Sequence, residues 1–345
     1  MEEINSLSAP SLLVPSVQEL AKNDKISTVP PRYIQPQHED YVLSQVDTNL
    51  QIPVIDMHNL LSLFCLVLVN HGISSSMVEK VKMEIQDFFN LPMSEKKKFW
   101  QTPQHVEGFG QAFVVSEDQK LDWADMFYMV TLPKRSRMPH LFPQLPLPLR
   151  DTLELYSQEM KNLALIIVDH IGKALKTEEM EMRKLFEDGT QMMRMNYYPP
   201  CPQPEKVIGL TKHSDPVGVT ILLQINEVEG LQIKKNSMWI PLKPLSNAFI
   251  VNIGDMLEIM TNGIYRSIEH RAIVNSEKER LSIATFYSLK QESILGPVES
   301  LITTQLPTRF KKIGVEDYFK NVFSRKLEGK SYIDVMRIES IDHDD

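Results

Sequence analysis

The segment from residue 188 to 289 limits the possible folds more than any other part of this chain. Seven short runs follow one another there: Met192–Tyr198, Val217–Gln224, Leu231–Lys235, Trp239–Leu242, Ala248–Ile253, Ile264–Val274 and Leu281–Leu289. Each is rich in Val, Ile, Leu or aromatic residues, and Gly, Pro, Asn and Asp fill the gaps. No helices alternate with these strands, so a doubly wound parallel sheet is excluded. A sandwich, barrel or jelly roll is predicted. Before residue 188 the spacing is helical. Leu153, Tyr156, Met160, Leu163, Ile167, Ile171 and Ala174 step by three or four and share one helix face. A second helix is predicted over Ser76–Leu91, with Met77, Val81, Ile85, Phe88 and Phe89 inward. A short one follows near Ser94 and Lys96–Lys98, and a last one near Val315–Phe323. Residues 103–149 read as irregular connections with short strands. Val130–Leu149 in particular reads as a loop, because five prolines interrupt it.

Composition narrows the partners. Lys and Arg number 37 against 45 Asp and Glu, a net charge of −8, which argues against a nucleic-acid partner. The longest apolar run, Leu63–Val69, is far shorter than the ~20 residues that cross a bilayer, so no membrane partner is expected. The start, MEEINSLSAPSLLVPS, lacks the charged and apolar blocks of a signal peptide. Two cysteines cannot form a disulfide framework, which points to a reducing compartment, most simply the cytoplasm. A chain of 345 residues needs no metal merely to fold, so any metal is there for chemistry.

The pattern His-x-Asp occurs three times, at His38/Asp40, His213/Asp215 and His343/Asp345. The first and last lie in polar terminal stretches and read as solvated. The middle copy lies in the β-rich half, where residues i and i+2 of an extended segment share a face. His270, on the run YRSIEHRAIV, is the other histidine of that half. Two histidines and one carboxylate leave coordination positions open, as in non-haem Fe(II) oxygenases. A hydrogen-bonded pair of core histidines is the alternative reading of the same residues. Arg280 and Ser282 share a face one turn beyond His270, and a hairpin through NSEKE would set them beside it. An Arg fork with a hydroxyl suits a carboxylate. Tyr198, in NYYPPCP, offers a phenol donor or simply a rigid proline corner.

RMNYYPPCPQP, HSD, NIGDMLEIMTNGIYRSIEHRA and RLSIATF, in this order, resemble the plant 2-oxoglutarate- and Fe(II)-dependent dioxygenases. GFGQAFVVSEDQKLDWADMF and ILLQINEVEGLQIK are similar to the senescence-related subgroup, which includes alkaloid O-demethylases and norcoclaurine-synthase-like proteins. The resemblance implies mixed α and β structure: a double-stranded β-helix, or jelly roll, flanked by N-terminal helices and a C-terminal helix. It divides the chain into a mostly helical region (1–187), the jelly-roll core (188–292) and a helical extension (293–345). It implies Fe(II) on His213, Asp215 and His270, and 2-oxoglutarate on Arg280, Ser282, Tyr198 and Asn196. O2 is the other co-substrate, with ascorbate as a supporting reductant. The implied reaction is hydroxylation, desaturation or O-demethylation of a small aromatic plant metabolite, an alkaloid or flavonoid. Phe109, Phe113, Tyr128 and Phe286 are the candidate walls of its pocket. A norcoclaurine-synthase-like non-oxidative enzyme and a catalytically impaired scaffold are the competing readings.

One departure stands out. IPVIDMHNLLS passes directly into LFCLVLVNHGI, where the family pattern places a further helix of roughly 20 residues with its connections. Parallel strands ordinarily need a crossover of a dozen or more residues. The short connection is therefore expected to displace or unpair the strands on either side, and to weaken the fold.

Overall fold

The computed structural model describes residues 11–22, 26–36, 53–57, 65–103, 105–178 and 180–338. The terminal His38/Asp40 and His343/Asp345 pairs, and the junction at residues 62 and 63, lie outside them. The helices are α1 (Val17–Ala21), α2 (Ser75–Asn90), α3 (Met93–Lys96), α4 (Leu147–Leu175), α5 (Glu181–Phe186), α6 (Asp255–Met260), α7 (Val315–Phe323) and α8 (Ser331–Met336). The strands that build the two main sheets are β1 (Val54–Asp56), β2 (Cys65–Val69), β3 (Gly108–Gly110), β4 (Asp125–Leu132), β5 (Gln191–Tyr198), β6 (Leu210–His213), β7 (Val219–Gln224), β8 (Leu231–Lys235), β9 (Met238–Pro241), β10 (Phe249–Ile253), β11 (His270–Ala272) and β12 (Arg280–Tyr287).

The larger sheet runs β1-β2-β10-β7-β12-β5-β4-β3, and the smaller runs β6-β11-β8-β9. Apart from the parallel β1–β2 pair, the pairings within these sheets are antiparallel. Cys65, Val67 and Ile250 of the larger sheet meet Leu231, Ile233 and Ile240 of the smaller in one apolar cluster, so the sheets pack face to face as a jelly roll. The outer face of the larger sheet is covered by α2 and α4. Leu153, Tyr156, Met160, Leu163, Ile167 and Ile171 of α4 are buried there, each contributing ~1.5–3 kcal/mol. Lys176, in the left-handed conformation (φ 56°), ends α4.

Several expectations change. Ala174 is exposed at the end of α4, and Met77 is only half-buried while its neighbour Val78 is fully buried. The supposed loop 130–149 gives up its first residues to β4, eight residues buried throughout. It gives up its last to α4, where Pro148 sits in the first turn and leaves no helical bond unmade. Of Ile264–Val274, only His270–Ala272 is strand. The β half also contains α6, all six of whose residues are buried. Six residues are under two turns, and its two carboxylates, Asp255 and Glu258, are buried with the rest, so it shows no solvent-facing stripe.

The hairpin expected through residues 275–279 does not form. β11 pairs with β6 and β8 in the smaller sheet, whereas β12 pairs with β5 and β7 in the larger. The turn carries the chain from one sheet to the other, so Arg280 faces His270 across the sandwich instead of along a ladder. The short junction does not unpair its strands either: Val54, Ile55 and Asp56 pair in parallel with Val67, Leu68 and Val69. Only three residues of β1 are paired, so the chain returns ~13 Å from the level of Val69 to Cys65, and the eight intervening residues could span up to ~27 Å.

Candidate active site

The antiparallel pairing of β6 and β11 sets His270 directly opposite His213, with ring centroids 4.3 Å apart. Asp215 follows β6 by two residues. Its Oδ1 lies 3.5 Å from His213 Nε2 and 3.6 Å from His270 Nε2. Neighbouring ligands bonded to one ion at about 2.1 Å would stand roughly 3.0–3.4 Å apart, so Asp215 is within a few tenths of ligand spacing from each histidine, and all three donors lie within 4.8 Å of one another. The supporting contacts aim all three donors inward. His213 Nδ1 is 2.8 Å from the Thr211 carbonyl, and His270 Nδ1 is 3.3 Å from that of Ile268. A carbonyl can only accept, so each Nδ1 carries the proton and each Nε2 presents its lone pair. Asp215 Oδ2 accepts from Thr220 Oγ1 (2.6 Å) and Asn252 Nδ2 (2.9 Å), which leaves Oδ1 for the histidines. Among the described residues this is the one group of three or more His, Cys, Asp or Glu arranged to hold a metal ion.

Burial sets the electrostatics. It pushes His270 down to about 4, against the attraction of Asp215, so the imidazole is a neutral ligand at pH 7. Burial alone would raise the Asp215 carboxyl. The electrostatic pull of the adjoining His270, with the hydrogen bonds of His213 and the Thr220 hydroxyl, overcomes it and holds the group below the usual carboxylate range. A neutral imidazole beside an ionised carboxylate is the protonation state a divalent cation requires.

The loop carrying Asp215 is pinned by the start of α6. The N–H groups of Gly254, Asp255 and Met256 donate to the carbonyls of Gly218 (2.9 Å), Asp215 (2.8 Å) and Val217 (3.0 Å). A Cβ at Gly254 would lie 2.1 Å from the Val217 carbonyl oxygen, so only glycine admits this approach. Gly254→Ala is expected to destabilise the fold by about 3 kcal/mol or more and to lower iron occupancy with it, read by thermal unfolding and metal analysis. Thr220 and Asn252 are cross-strand partners on β7 and β10, which explains why both reach one carboxylate oxygen. Thr220→Val removes one of these donors and is expected to weaken iron affinity about tenfold while leaving thermal stability nearly unchanged, a split that chelator competition and unfolding resolve.

The second cluster lies on β5 and β12. Their register pairs Arg280 with Tyr198 and Ser282 with Asn196, so the four residues are two cross-strand pairs. Asn196 Nδ2 donates to Ser282 Oγ (3.3 Å). Arg280 Nη2 donates to Gln224 (3.4 Å), its guanidinium lies 5.1 Å from the Tyr198 ring centre, and its buried Nε has no partner. The arginine passes over Gly230, where a Cβ would come within 2.6 Å of its side chain. Burial raises the Tyr198 phenol despite the pull of Arg280, so it remains a donor. An unpartnered guanidinium N–H, two hydroxyls and an amide are the donor set for a carboxylate.

These residues and the triad line a cavity of about 600 Å³ between the sheets. A second cavity of about 530 Å³ is mostly apolar and shares His213, Asp215, Arg194 and Phe286 with the first. Phe113, Tyr128 and Phe286 line it, as expected from the sequence. Phe109 does not. It is fully buried in the core against Phe89 and Trp100. Phe113 (φ 64°) stacks on Phe323 at 5.5 Å.

Phe319, Phe323 and Leu327 bring the C-terminal extension into this wall, a role their helical spacing did not reveal. Lys330 (2.6 Å) and Arg337 (2.7 Å) anchor that extension to the buried Glu258 of α6. The Gly329 carbonyl also accepts from the Ser214 N–H beside Asp215. Thr220, Asn252, Gly254 and Arg194 were missed as well. The signal available for Asn252 was a lone amide in an otherwise apolar strand, FIVNI.

The comparisons agree with this geometry. Residues 189–289 match the 2OG-Fe(II) oxygenase superfamily, and residues 62–145 match the family described as non-haem dioxygenase in morphine synthesis N-terminal. Protein SRG1 of Arabidopsis thaliana is 57% identical over 348 positions, covering 95% of this chain and 97% of the relative. That share is about 328 of 345 residues, so roughly 20 aligned positions have no counterpart here. Codeine O-demethylase of Papaver somniferum is 52% identical (95% and 97% covered). Oxoglutarate-dependent flavonoid 7-O-demethylase 1 of Ocimum basilicum is 50% identical (96% and 92% covered). The crystal structure of JOX2 in complex with 2OG, Fe and JA superposes with a TM-score of 0.85 at 31% identity, covering 96% of this chain and all of that one. With a jelly roll, a His-Asp-His triad and these relatives along nearly its whole length, the chain belongs to the 2OG-Fe(II) oxygenase superfamily.

Proposed function

We propose that this enzyme removes an O-methyl group from, or hydroxylates, a small oxygenated aromatic plant metabolite. His213, Asp215 and His270 hold Fe(II), and Arg280, Ser282, Tyr198 and Asn196 hold 2-oxoglutarate. The observation that carries the reading is the meeting of two cavities at the triad, one carrying the donors Arg280, Ser282, Tyr198 and Asn196, the other almost wholly apolar. The iron, when bound, supplies the activation of O2. The chain's residues do the rest. Arg280 and Ser282 grip the distal carboxylate of the oxo-acid, Tyr198 and Asn196 border it, and the apolar wall sets one C–H bond toward the metal. One oxygen atom leaves in succinate as CO2 departs, and the other enters the substrate C–H bond. On a methoxy carbon the product is a hemiacetal, which breaks down to a phenol or alcohol and formaldehyde.

The demethylase relatives support the O-methyl outcome. In this reading residues 188–292 carry both co-substrates, 1–187 cover the sheet, and 293–345 supply the aromatic wall. A non-oxidative condensation would leave the Arg280 and Ser282 donors without a purpose. The intact triad and the retained β1–β2 pairing favour an active enzyme over an impaired scaffold. Both cysteines are free and buried, which suits a reducing compartment such as the cytoplasm. Among the described residues, no helix is long and apolar enough to cross a membrane. The test is to supply Fe(II), 2-oxoglutarate and O2 with a panel of O-methylated flavonoids and alkaloids. Formaldehyde and succinate in equal amounts support demethylation. Succinate with a hydroxylated product and no formaldehyde replaces it with hydroxylation, and product formed without O2 refutes the oxidative reading.

A further inference from the structure

Arg194 lies on β5, opposite Tyr128 of β4 on one side and Ala284 of β12 on the other. Its side chain lines both cavities, at the partition where the triad stands. A guanidinium keeps its proton at any working pH, yet no ion pair holds this one. Among the described residues no carboxylate lies within 4 Å of it, and its Nε is buried without a hydrogen-bond partner. Asp122 interacts with its charge, but that carboxylate is engaged by the N–H (3.1 Å) and hydroxyl (2.6 Å) of Thr211.

The other polar groups of the apolar cavity are committed. The Tyr128 hydroxyl donates to the sulfur of Met192 at 2.8 Å, and His213 and Asp215 face the metal position. Around them the wall is Phe113, Phe286, Phe319, Phe323 and aliphatic side chains, with Phe113 and Phe323 stacked within 17° of parallel. Arg194 is therefore the one charged group of that wall, among the described residues, that neither serves the metal position nor has a hydrogen-bond partner.

We infer that Arg194 determines substrate specificity: it pairs with an oxyanion on a planar substrate, a phenolate or a carboxylate, and disfavours a protonated amine. This rests on the oxygenase reading above and narrows it. A partly buried cation without an ion-pair partner stabilises an anion brought beside it, because few waters screen the pair. The same field repels an ammonium group, and the wall offers it no carboxylate except Asp215, which the metal would neutralise. A flat ring system fits against the stacked phenylalanines while its oxyanion reaches the partition, which sets the opposite edge of the ring and its orientation relative to the triad.

The test uses the full chain loaded with Fe(II) and 2-oxoglutarate without O2, so that binding is read independently of turnover. Four probes are titrated: an O-methylated flavone with a free acidic phenol, its fully O-methylated counterpart, an O-methylated aromatic carboxylic acid, and an O-methylated tertiary-amine alkaloid. The phenol, the acid or both are expected to bind at least about tenfold more tightly than the fully methylated flavone and the alkaloid. Which of the two wins identifies the source of the oxyanion. Arg194→Gln is expected to erase that preference, Arg194→Lys to restore part of it, and both to leave the 2-oxoglutarate Kd unchanged. Tightest binding by the alkaloid overturns the inference in the wild-type protein, whatever the variants do. So does a rise in the 2-oxoglutarate Kd in Arg194→Gln with substrate preference intact, which would place Arg194 in the co-substrate site. If the oxygenase reading itself fails, no probe yields succinate on admitting O2, while the binding order still decides the role of Arg194.

Discussion

Replacing Asp215 by Asn is expected to cost oxidative turnover on the order of 10³-fold or more, with iron affinity falling alongside it. The substitution keeps the size and the hydrogen bonds of the side chain, so the loss isolates the charge. Oδ1 is the one carboxylate donor between the two histidines, and nothing else in the triad offsets the charge of the ion. The folded protein already favours the ionised carboxylate, as its lowered pKa records. The fold should not suffer in the apo state. Asn can still accept from Thr220 and Asn252, so the contacts that hold the side chain persist. Apo stability close to wild type with lost iron binding is the expected pair of results, read by thermal unfolding with chelator and by metal analysis. Asp215→Glu should fail for a different reason: the longer arm misplaces the oxygen by ~1 Å, worth ~100-fold in rate. Iron content and turnover close to wild type in Asp215→Asn would remove the residue from the metal site.

Arg280→Lys is expected to raise the Kd for 2-oxoglutarate by about 10- to 150-fold, the equivalent of one charged hydrogen bond of ~1.5–3 kcal/mol. Arg280 sits between β5 and β7, with one guanidinium N–H on Gln224 and Nε without a protein partner. A lysine ammonium is a point charge that cannot hold Gln224 and still present two parallel N–H groups to a carboxylate. The triad belongs to the other sheet and the loop after β6, so iron affinity in the absence of 2-oxoglutarate should be unchanged. If iron affinity falls while 2-oxoglutarate affinity holds, the two clusters have been assigned the wrong way round.

The candidate site residues could be picked out in the sequence because their spacing is local. His213 and Asp215 are two apart, as are Arg280 and Ser282, and the NYYPPCP corner marks Asn196 and Tyr198. What joins them was not legible. Arg280 reaches the neighbourhood of His270 because β11 and β12 lie in opposing sheets, and the length of the connecting turn says nothing of that. The supports of Asp215 come from β7 and β10, where one Thr and one Asn among apolar neighbours carry no motif. Helix α6 escaped notice because it is buried on every side. Phe109 was placed in the pocket on residue type alone, and packing sends it to the core instead. The β1–β2 pair survives its short junction because so little of β1 is paired, a length that residue types do not encode.

Anaerobic titration of the full chain with Fe(II) and then 2-oxoglutarate tests the two-cluster site most directly. The account predicts one Fe(II) and one 2-oxoglutarate per chain. Binding of 2-oxoglutarate should be strengthened by the metal, weakened in Arg280→Lys, and accompanied by loss of the metal in Asp215→Asn. Iron that stays bound in Asp215→Asn, or 2-oxoglutarate affinity indifferent to both Arg280 and the metal, would contradict it.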